Sequence, residues 1–202
     1  MYKFSAGRLL LLSSEFYVAN GKGARLRQRQ QTLIFTLKDV IIINELLLNK
    51  YISDNDIDSI VLLVQKSDKP AEYLNRLIDF LQKTDNSDFR NTIAIALADL
   101  QYQDAVPVLV KLIHKYHNTD NYASLIYALS LLNCEQYICE LVYLIYHGNF
   151  EARHNMYNII ADNIEKMSLQ NRNMMIQEIN RYIEDCEDKK SLLIDTIEIL
   201  KA

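Results

Sequence analysis

The feature that most constrains this chain is a helical pattern that occurs twice in succession. Residues 90–113 contain a helix of small and apolar residues, a short polar link and a second apolar helix, and residues 123–145 repeat that order. Ala96 superposes on Ala128 with a shift of 32 residues, and the apolar positions of the second helix keep the same shift. A constant shift across two helices indicates a repeated supersecondary unit, which must stack on its neighbours to bury its apolar face.

The composition favours helices along the rest of the chain. The 202 residues include only four Gly and two Pro, whereas sheet-rich folds use many of both in their turns. Apolar stripes at helical spacing flank the two clear repeats, with capping residues at 53–56, at 84–87 and at Asn149. We therefore predict an all-α fold, with a helical repeat domain over residues 31–202 and an irregular arm over residues 1–30.

The clearer repeat carries a recognisable signature. It opens with an Arg, continues through an Ala-Leu pair and an Asp-Ala link, and ends in Pro-x-Leu-x-x-Leu-Ile. This pattern resembles a HEAT-type repeat of the short variety found in phycobilin-lyase-like proteins, and the matching residues are Arg90, Ala94, Ala96, Leu97, Leu100, Asp104, Ala105, Pro107, Leu109, Leu112 and Ile113. In the third unit, Ile160 and Ala161 are expected in place of the Ala-Leu pair. The resemblance covers residues 70–190 and implies a short right-handed α-solenoid of antiparallel helix pairs whose second helices line the concave side. It implies no catalytic residues.

The positions that differ between repeats are the candidates for recognition. The chain has 13 Tyr and no Trp, and Tyr suits protein interfaces because it combines a large apolar ring with a hydrogen-bonding tip. We expect Tyr143 and Tyr146 on the flank or outside of their helix; the alternative is that they are half-buried against the neighbouring repeat. The predicted partner-binding residues are Lys111, His114, Lys115, Glu140, Tyr143, Tyr146, His147, Arg181 and Tyr182.

The sequence lacks the usual patterns of catalysis and metal binding. His114 and His117 share a helix face, but no Glu or Cys completes a ligand set with them, so we interpret them as helix-end histidines. There is no His-Glu dipeptide, on which iron-binding HEAT hydroxylases depend, and no Trp, on which base-excision HEAT enzymes commonly stack a lesion. Cys139 is expected in the core, and Asp99 and Asp162 on helix surfaces. We expect no catalytic residue, no metal and no cofactor.

The charge distribution and the cysteine content indicate which partners and which cell compartment suit the chain. Residues 1–30 have six basic residues and one acidic residue, Glu15. The net charge of the whole chain is −4, so the net charge of the remaining residues is −9. Residues 9–12 and 16–18 fit either two short strands or a broken helix, and helical spacing sets in from Gln31. Three cysteines without a Cys-x-x-Cys motif, and no apolar stretch of membrane-spanning length, predict a cytoplasmic protein that does not associate with membranes.

These observations favour a non-enzymatic scaffold that binds another protein on its concave face. An acidic body would steer association towards a basic partner, such as a toxin that is neutralised by an immunity protein. Two alternatives remain open. Arg25, Arg27 and Arg29 would share one face of a strand and grip the phosphates of a nucleic acid. An enzyme of the lyase-like group would share the repeat and carry a bound chromophore or metal.

Overall fold

The structure is a computed structural model that describes residues 9–11, 33–35, 37–119, 121–185 and 189–202, with side chains described from residue 45. Eleven α-helices dominate this described part of the chain. They are α1 (Leu37–Ser53), α2 (Ile57–Lys66), α3 (Pro70–Lys83), α4 (Ser87–Asp99), α5 (Val106–Tyr116), α6 (Ala123–Ser130), α7 (Ile138–Leu141), α8 (Leu144–His147), α9 (Phe150–Asn163), α10 (Leu169–Tyr182) and α11 (Lys190–Lys201). None of the helices in these ranges is long and apolar enough to cross a membrane.

The chain divides into two compact units, residues 1–50 and 51–202. In the first unit, strand β1 (Leu9–Leu11) pairs antiparallel with strand β2 (Leu33–Phe35). Of the two alternatives left open for residues 9–12, the structure has the strand. The helical start expected at Gln31 is wrong, because β2 occupies residues 33–35 and α1 begins only at Leu37.

Other expectations for the N-terminal region lie outside the described residues. These are the second strand proposed at residues 16–18 and the row of basic side chains formed by Arg25, Arg27 and Arg29. The predicted boundary between an arm and a repeat domain at residue 30 stays a prediction.

Short polar side chains begin three helices of the second unit at the places that the sequence indicated. Asp56 caps α2, Asn86 caps α4 and Asn149 caps α9. In each case the side-chain oxygen accepts a backbone N–H of the first turn at 2.9–3.1 Å. Such a bond satisfies one of the N–H groups that a helix start leaves without an intrahelical partner.

The helices of the second unit pack in chain order as two rows. The first row consists of α2, α4, α6, α9 and α11, and each of them packs on the next. The second row consists of α3, α5, α7, α8 and α10, of which α3 packs on α5 and α10 packs on both α7 and α8. Each pair is joined to the following one, since α3 packs on α4, α5 on α6, α8 on α9 and α10 on α11.

Burial along the first row repeats with the period seen in the sequence. In α4 and α6, the buried Ala96 and Leu97 correspond to the buried Ala128 and Leu129, as predicted. In α9, however, the buried neighbours are Ile159 and Ile160, whereas Ala161 is half-buried. The predicted alignment of Ile160 and Ala161 with the Ala-Leu pair is therefore wrong by one position.

Polar side chains link α6 to the helix pairs before and after it. The signature Arg90 is buried, holds its guanidinium 3.9 Å from the centre of the Tyr116 ring, and donates to a backbone carbonyl in the link before α6. Gln101 donates to the carbonyl that ends α6, and Asn155 to the first carbonyl of α6. These bonds satisfy carbonyl groups near the helix ends and fix the spacing of neighbouring helix pairs.

Candidate functional site

Most of the predicted partner-binding residues meet in two side-chain clusters on the second row. The histidine cluster consists of His114, His117, Glu140 and Tyr143. The tyrosine cluster consists of Tyr146, His147, Glu178, Arg181 and Tyr182.

Two predicted residues have another position. Lys111 is exposed on α5 and does not belong to either cluster in the described part of the chain. Lys115 instead lies over the Tyr116 ring and 4.0 Å from the carboxylate of Asp85. The structure thus brings together the aromatic, acidic and His residues of the prediction, together with Arg181, but not its two lysines.

Hydrogen bonds in the histidine cluster link Glu140 of α7, and Tyr143 just after α7, to His114 of α5. Glu140 Oε1 lies 2.7 Å from His114 Nε2, and the Tyr143 hydroxyl lies 3.2 Å from His114 Nδ1. A carboxylate only accepts, so Nε2 carries a proton, and in the neutral tautomer of His114 Nδ1 accepts the Tyr143 O–H. His117 donates from Nδ1 to the His114 carbonyl at 2.7 Å and meets the Tyr143 ring edge-on.

Tyr143 is a hydrogen-bond donor in this arrangement. Burial, followed by the nearby Tyr122 and Glu140, raises the pKa of the Tyr143 hydroxyl to about 12. The hydroxyl therefore keeps its proton at neutral pH, where it fixes the ring through its bond to His114. The result is a half-buried aromatic ring held in one orientation at the surface.

The tyrosine cluster joins α8 to α10 by ring stacking and by one shared carboxylate. The Tyr146 and Tyr182 rings are stacked with centroids 4.1 Å apart, and His147 meets both of them edge-on. Glu178 accepts from the Tyr146 hydroxyl at 3.2 Å and from Arg181 at 2.6 Å. Burial and, next, the charge of Glu178 raise the pKa of Tyr146, so this hydroxyl also remains protonated.

The predicted exposure of Tyr146 is wrong, since the residue is only 3% exposed. The expected single helix is interrupted, because α7 ends at Leu141 and α8 begins at Leu144. The Ile145 N–H bonds to the carbonyl three residues earlier, which tightens the turn from about 3.6 to about 3.0 residues. After this turn, Tyr146 lies against α10, where it stacks on Tyr182 and donates to Glu178. Tyr143 keeps the flanking position that the sequence predicted.

A cavity of about 320 Å³ lies between the two clusters. Its walls come from α7, α8, the turn between them and α10, and its lining residues are Cys139, Glu140, Val142, Tyr143, Tyr146, Met174, Met175 and Glu178. A second cavity of about 320 Å³ also has Tyr143 in its wall, together with His117 and His147. Because Tyr143 borders both cavities, the two clusters form one continuous surface, which we call the aromatic surface.

The two cysteines in the described part of the chain are buried or half-buried. Burial raises the pKa of Cys134 to about 11 and also raises that of Cys139, so both thiols stay protonated at neutral pH. Cys139 is half-buried in a cavity wall, which corrects its expected core position. Asp99 and Asp162 are exposed on helix surfaces, as predicted. No group of three His, Cys, Asp or Glu side chains among the described residues is placed to hold a metal ion.

Several residues of the aromatic surface were not predicted from the sequence. Glu178 lies three residues before Arg181, a spacing that puts both on one helix face and that signals the ion pair. His117 was recognised as a neighbour of His114 but not as part of a binding surface. Met174 and Met175 carry no local signal, since only the approach of α10 to α7 and α8 places them in the cavity wall.

Comparison with known proteins provides no relative from which a function could be transferred. No protein-family model matches the chain, and no curated protein or solved structure shows significant similarity to it. The residues of the aromatic surface are therefore the basis for a functional proposal.

Proposed function

We propose that the chain is a non-enzymatic, HEAT-like α-solenoid that binds another protein through its aromatic surface. The supporting observation is that the residues which vary between repeats meet on the second row, where two clusters and two cavities form one surface. The repeated positions, by contrast, are buried between helices.

The stacking order of the helices supports the solenoid part of this proposal. First-row helices contact the next first-row helix, and each second-row helix also contacts the pair that follows it. Such nearest-neighbour contacts are typical of solenoid proteins, which present extended concave surfaces to their partners. In a right-handed superhelix of these pairs, the second row would line the concave side.

The side chains of the aromatic surface suit protein recognition energetically. Tyr143, Tyr146 and Tyr182 are held by stacking or by hydrogen bonds before any partner arrives. Rings that are already ordered lose little conformational entropy on binding, and Tyr and Arg are enriched among the residues that dominate interface energies. The Arg181 side chain, which is 69% exposed, adds such a group at the rim.

Charge favours a basic partner. Residues 31–202 sum to a net charge of −9, and an acidic body raises the rate of association with a basic protein. A toxin-neutralising role of the immunity type would use this same surface and this same charge complementarity.

A pull-down with matched charge reversals tests this proposal. The second-row bait carries Glu140→Lys in the aromatic surface, and the control bait carries Glu151→Lys on α9 of the first row, so both undergo the same change in net charge. Both side chains are exposed, so circular dichroism should show unchanged helicity. We expect wild type and control to retain the same protein from nuclease-treated source lysate. The second-row variant should retain it at least about tenfold less well, equivalent to about 1.4 kcal/mol. Equal retention by all three baits, or no retained protein, would contradict the proposal.

A further inference from the structure

We infer that the cavity between the two clusters receives an arginine side chain of the partner protein. This inference rests on the proposed function and specifies which partner residue the aromatic surface binds. The cavity of about 320 Å³ lies at the small end of the range for ligand sites, about 300–1,000 Å³, which suits one side chain better than a cofactor.

The first reason is that two different helices each contribute a carboxylate to the cavity lining. Glu140 comes from α7 and Glu178 from α10, and both line the cavity. Among the described residues, Glu140 binds His114 through Oε1 only, which leaves Oε2 for an incoming donor. Glu178 uses one lone pair of each oxygen, for Tyr146 and Arg181, while a carboxylate offers about four acceptor sites. Arg181 is the one permanently charged side chain paired with either carboxylate in the described part of the chain, so this wall retains negative charge that attracts a second cation.

The second reason is the aromatic and apolar remainder of the lining. Tyr143 and Tyr146 both border the cavity, and a planar guanidinium stacks well on such rings. Met174, Met175 and Val142 complete the walls with apolar surface suited to the alkyl stem of the same side chain. Arginine matches this combination better than lysine, because its flat fork binds two carboxylates from different directions while its faces remain stacked.

The cavity also lies where a partner would reach it. Tyr143 separates it from the second cavity, so an inserted side chain would be surrounded by the aromatic surface. Met174 is 48% exposed at the edge of the cavity and is free to adapt to the side chain that enters. A long side chain inserted between fixed rings, with water excluded around it, is the arrangement typical of an interface hot spot.

Methyl NMR of the full chain with methionine labelled at the ε-carbon tests this inference without the partner. The probe is N-acetyl-arginine methylamide, and the neutral isostere N-acetyl-citrulline methylamide and N-acetyl-lysine methylamide serve as comparisons. We expect the arginine probe to shift the Met174 and Met175 methyl signals saturably, whereas those of the buried Met156 and Met167 report an unchanged fold. The citrulline probe should give no saturable shift, and the lysine probe should bind more weakly than the arginine probe.

Charge-removal variants provide the matched control. Glu140→Gln and Glu178→Gln should each weaken binding of the arginine probe about three- to tenfold, as expected when a charge-assisted hydrogen bond is lost. The exposed Glu151→Gln on α9 should leave it unchanged. Absent saturation, equal binding of the citrulline probe, tighter binding of the lysine probe, or insensitivity to both cavity variants would each overturn the inference.

The two experiments fail independently. If the pull-down identifies a partner but the arginine probe does not bind, the protein-binding proposal stands and the arginine inference falls. If the probe binds but no bait retains a protein, the cavity binds a guanidinium and the protein-binding proposal falls.

Discussion

Replacement of Gly148 by Ala is the sharpest test of how α8 and α9 pack. Gly148 follows the last residue of α8 and precedes the cap of α9, and its N–H donates to the Leu144 carbonyl at 2.9 Å. Its φ of −63° is accessible to any residue, so backbone freedom does not explain the glycine. The explanation is close approach. A Cβ at this position would lie 2.4 Å from the Leu144 carbonyl oxygen and 3.2 Å from the Cβ of Ala152.

The cost of the substitution follows from these distances. The nearer atom belongs to the backbone and the other to a fully buried residue, so neither can rotate away. Overpacking of this kind costs about 1–3 kcal/mol, and weakening the bond from Gly148 to Leu144 adds up to about 1 kcal/mol. We expect Gly148→Ala to lower the free energy of unfolding by about 2–3 kcal/mol. In a chain of this size that corresponds to a fall in Tm of roughly 5–10 °C.

Urea and thermal denaturation followed by circular dichroism measure this effect. The control is Asn158→Ala at an exposed position in α9, which should change stability by less than about 0.5 kcal/mol. If Gly148→Ala is as close to wild type as the control, the close approach of the Leu144 carbonyl and of Ala152 to position 148 is wrong.

Three further predictions concern a helix cap, a part-buried hydrogen bond and a titrating hydroxyl. Asn149→Ala should reduce the free energy of unfolding by about 1 kcal/mol in urea denaturation, because it removes the 2.9 Å bond that begins α9. A double-mutant cycle of Thr92→Val and Asn55→Ala should give a coupling of about 1 kcal/mol, since the buried hydroxyl donates to the Asn55 side chain at 2.7 Å; additive effects would refute that bond. The pKa of the Tyr143 hydroxyl is raised to about 12 in the folded protein, compared with about 10 in the unfolded chain. The contribution of this hydroxyl to the free energy of unfolding is therefore fully present below pH about 10 and is lost as the pH rises through about 12. Tyr143→Phe should therefore lose less stability than wild type over that pH window in urea denaturation, and equal losses would contradict the assignment.

The parts of the fold that were predictable are those set by local chemistry. Asp56, Asn86 and Asn149 start helices because a short side-chain oxygen satisfies a free N–H, whatever surrounds the helix. The burial of Ala128 and Leu129 followed from the repeat, because stacked units must present the same face to their neighbours.

The parts that were mispredicted depend on distant contacts. Strand β2 forms its hydrogen bonds with β1, which lies more than twenty residues earlier in the chain. The local pattern of residues 33–35 is therefore equally compatible with the apolar face of a helix. The break between α7 and α8 contains no Gly or Pro within the helical run, and the exposure of Tyr146 was predicted for an unbroken helix. The cavity needs α7, α8 and α10 to converge, which no spacing within a single helix reveals.

Amide hydrogen exchange of the chain bound to the partner retained in the pull-down tests the protein-binding proposal most directly. We expect slower exchange on binding in residues 138–147 and in α10, which carry the aromatic surface, while exchange in α2 and α11 of the first row stays unchanged. Slower exchange confined to α2 and α11, with residues 138–147 and α10 unaffected, would show that the partner binds elsewhere and would contradict the proposal.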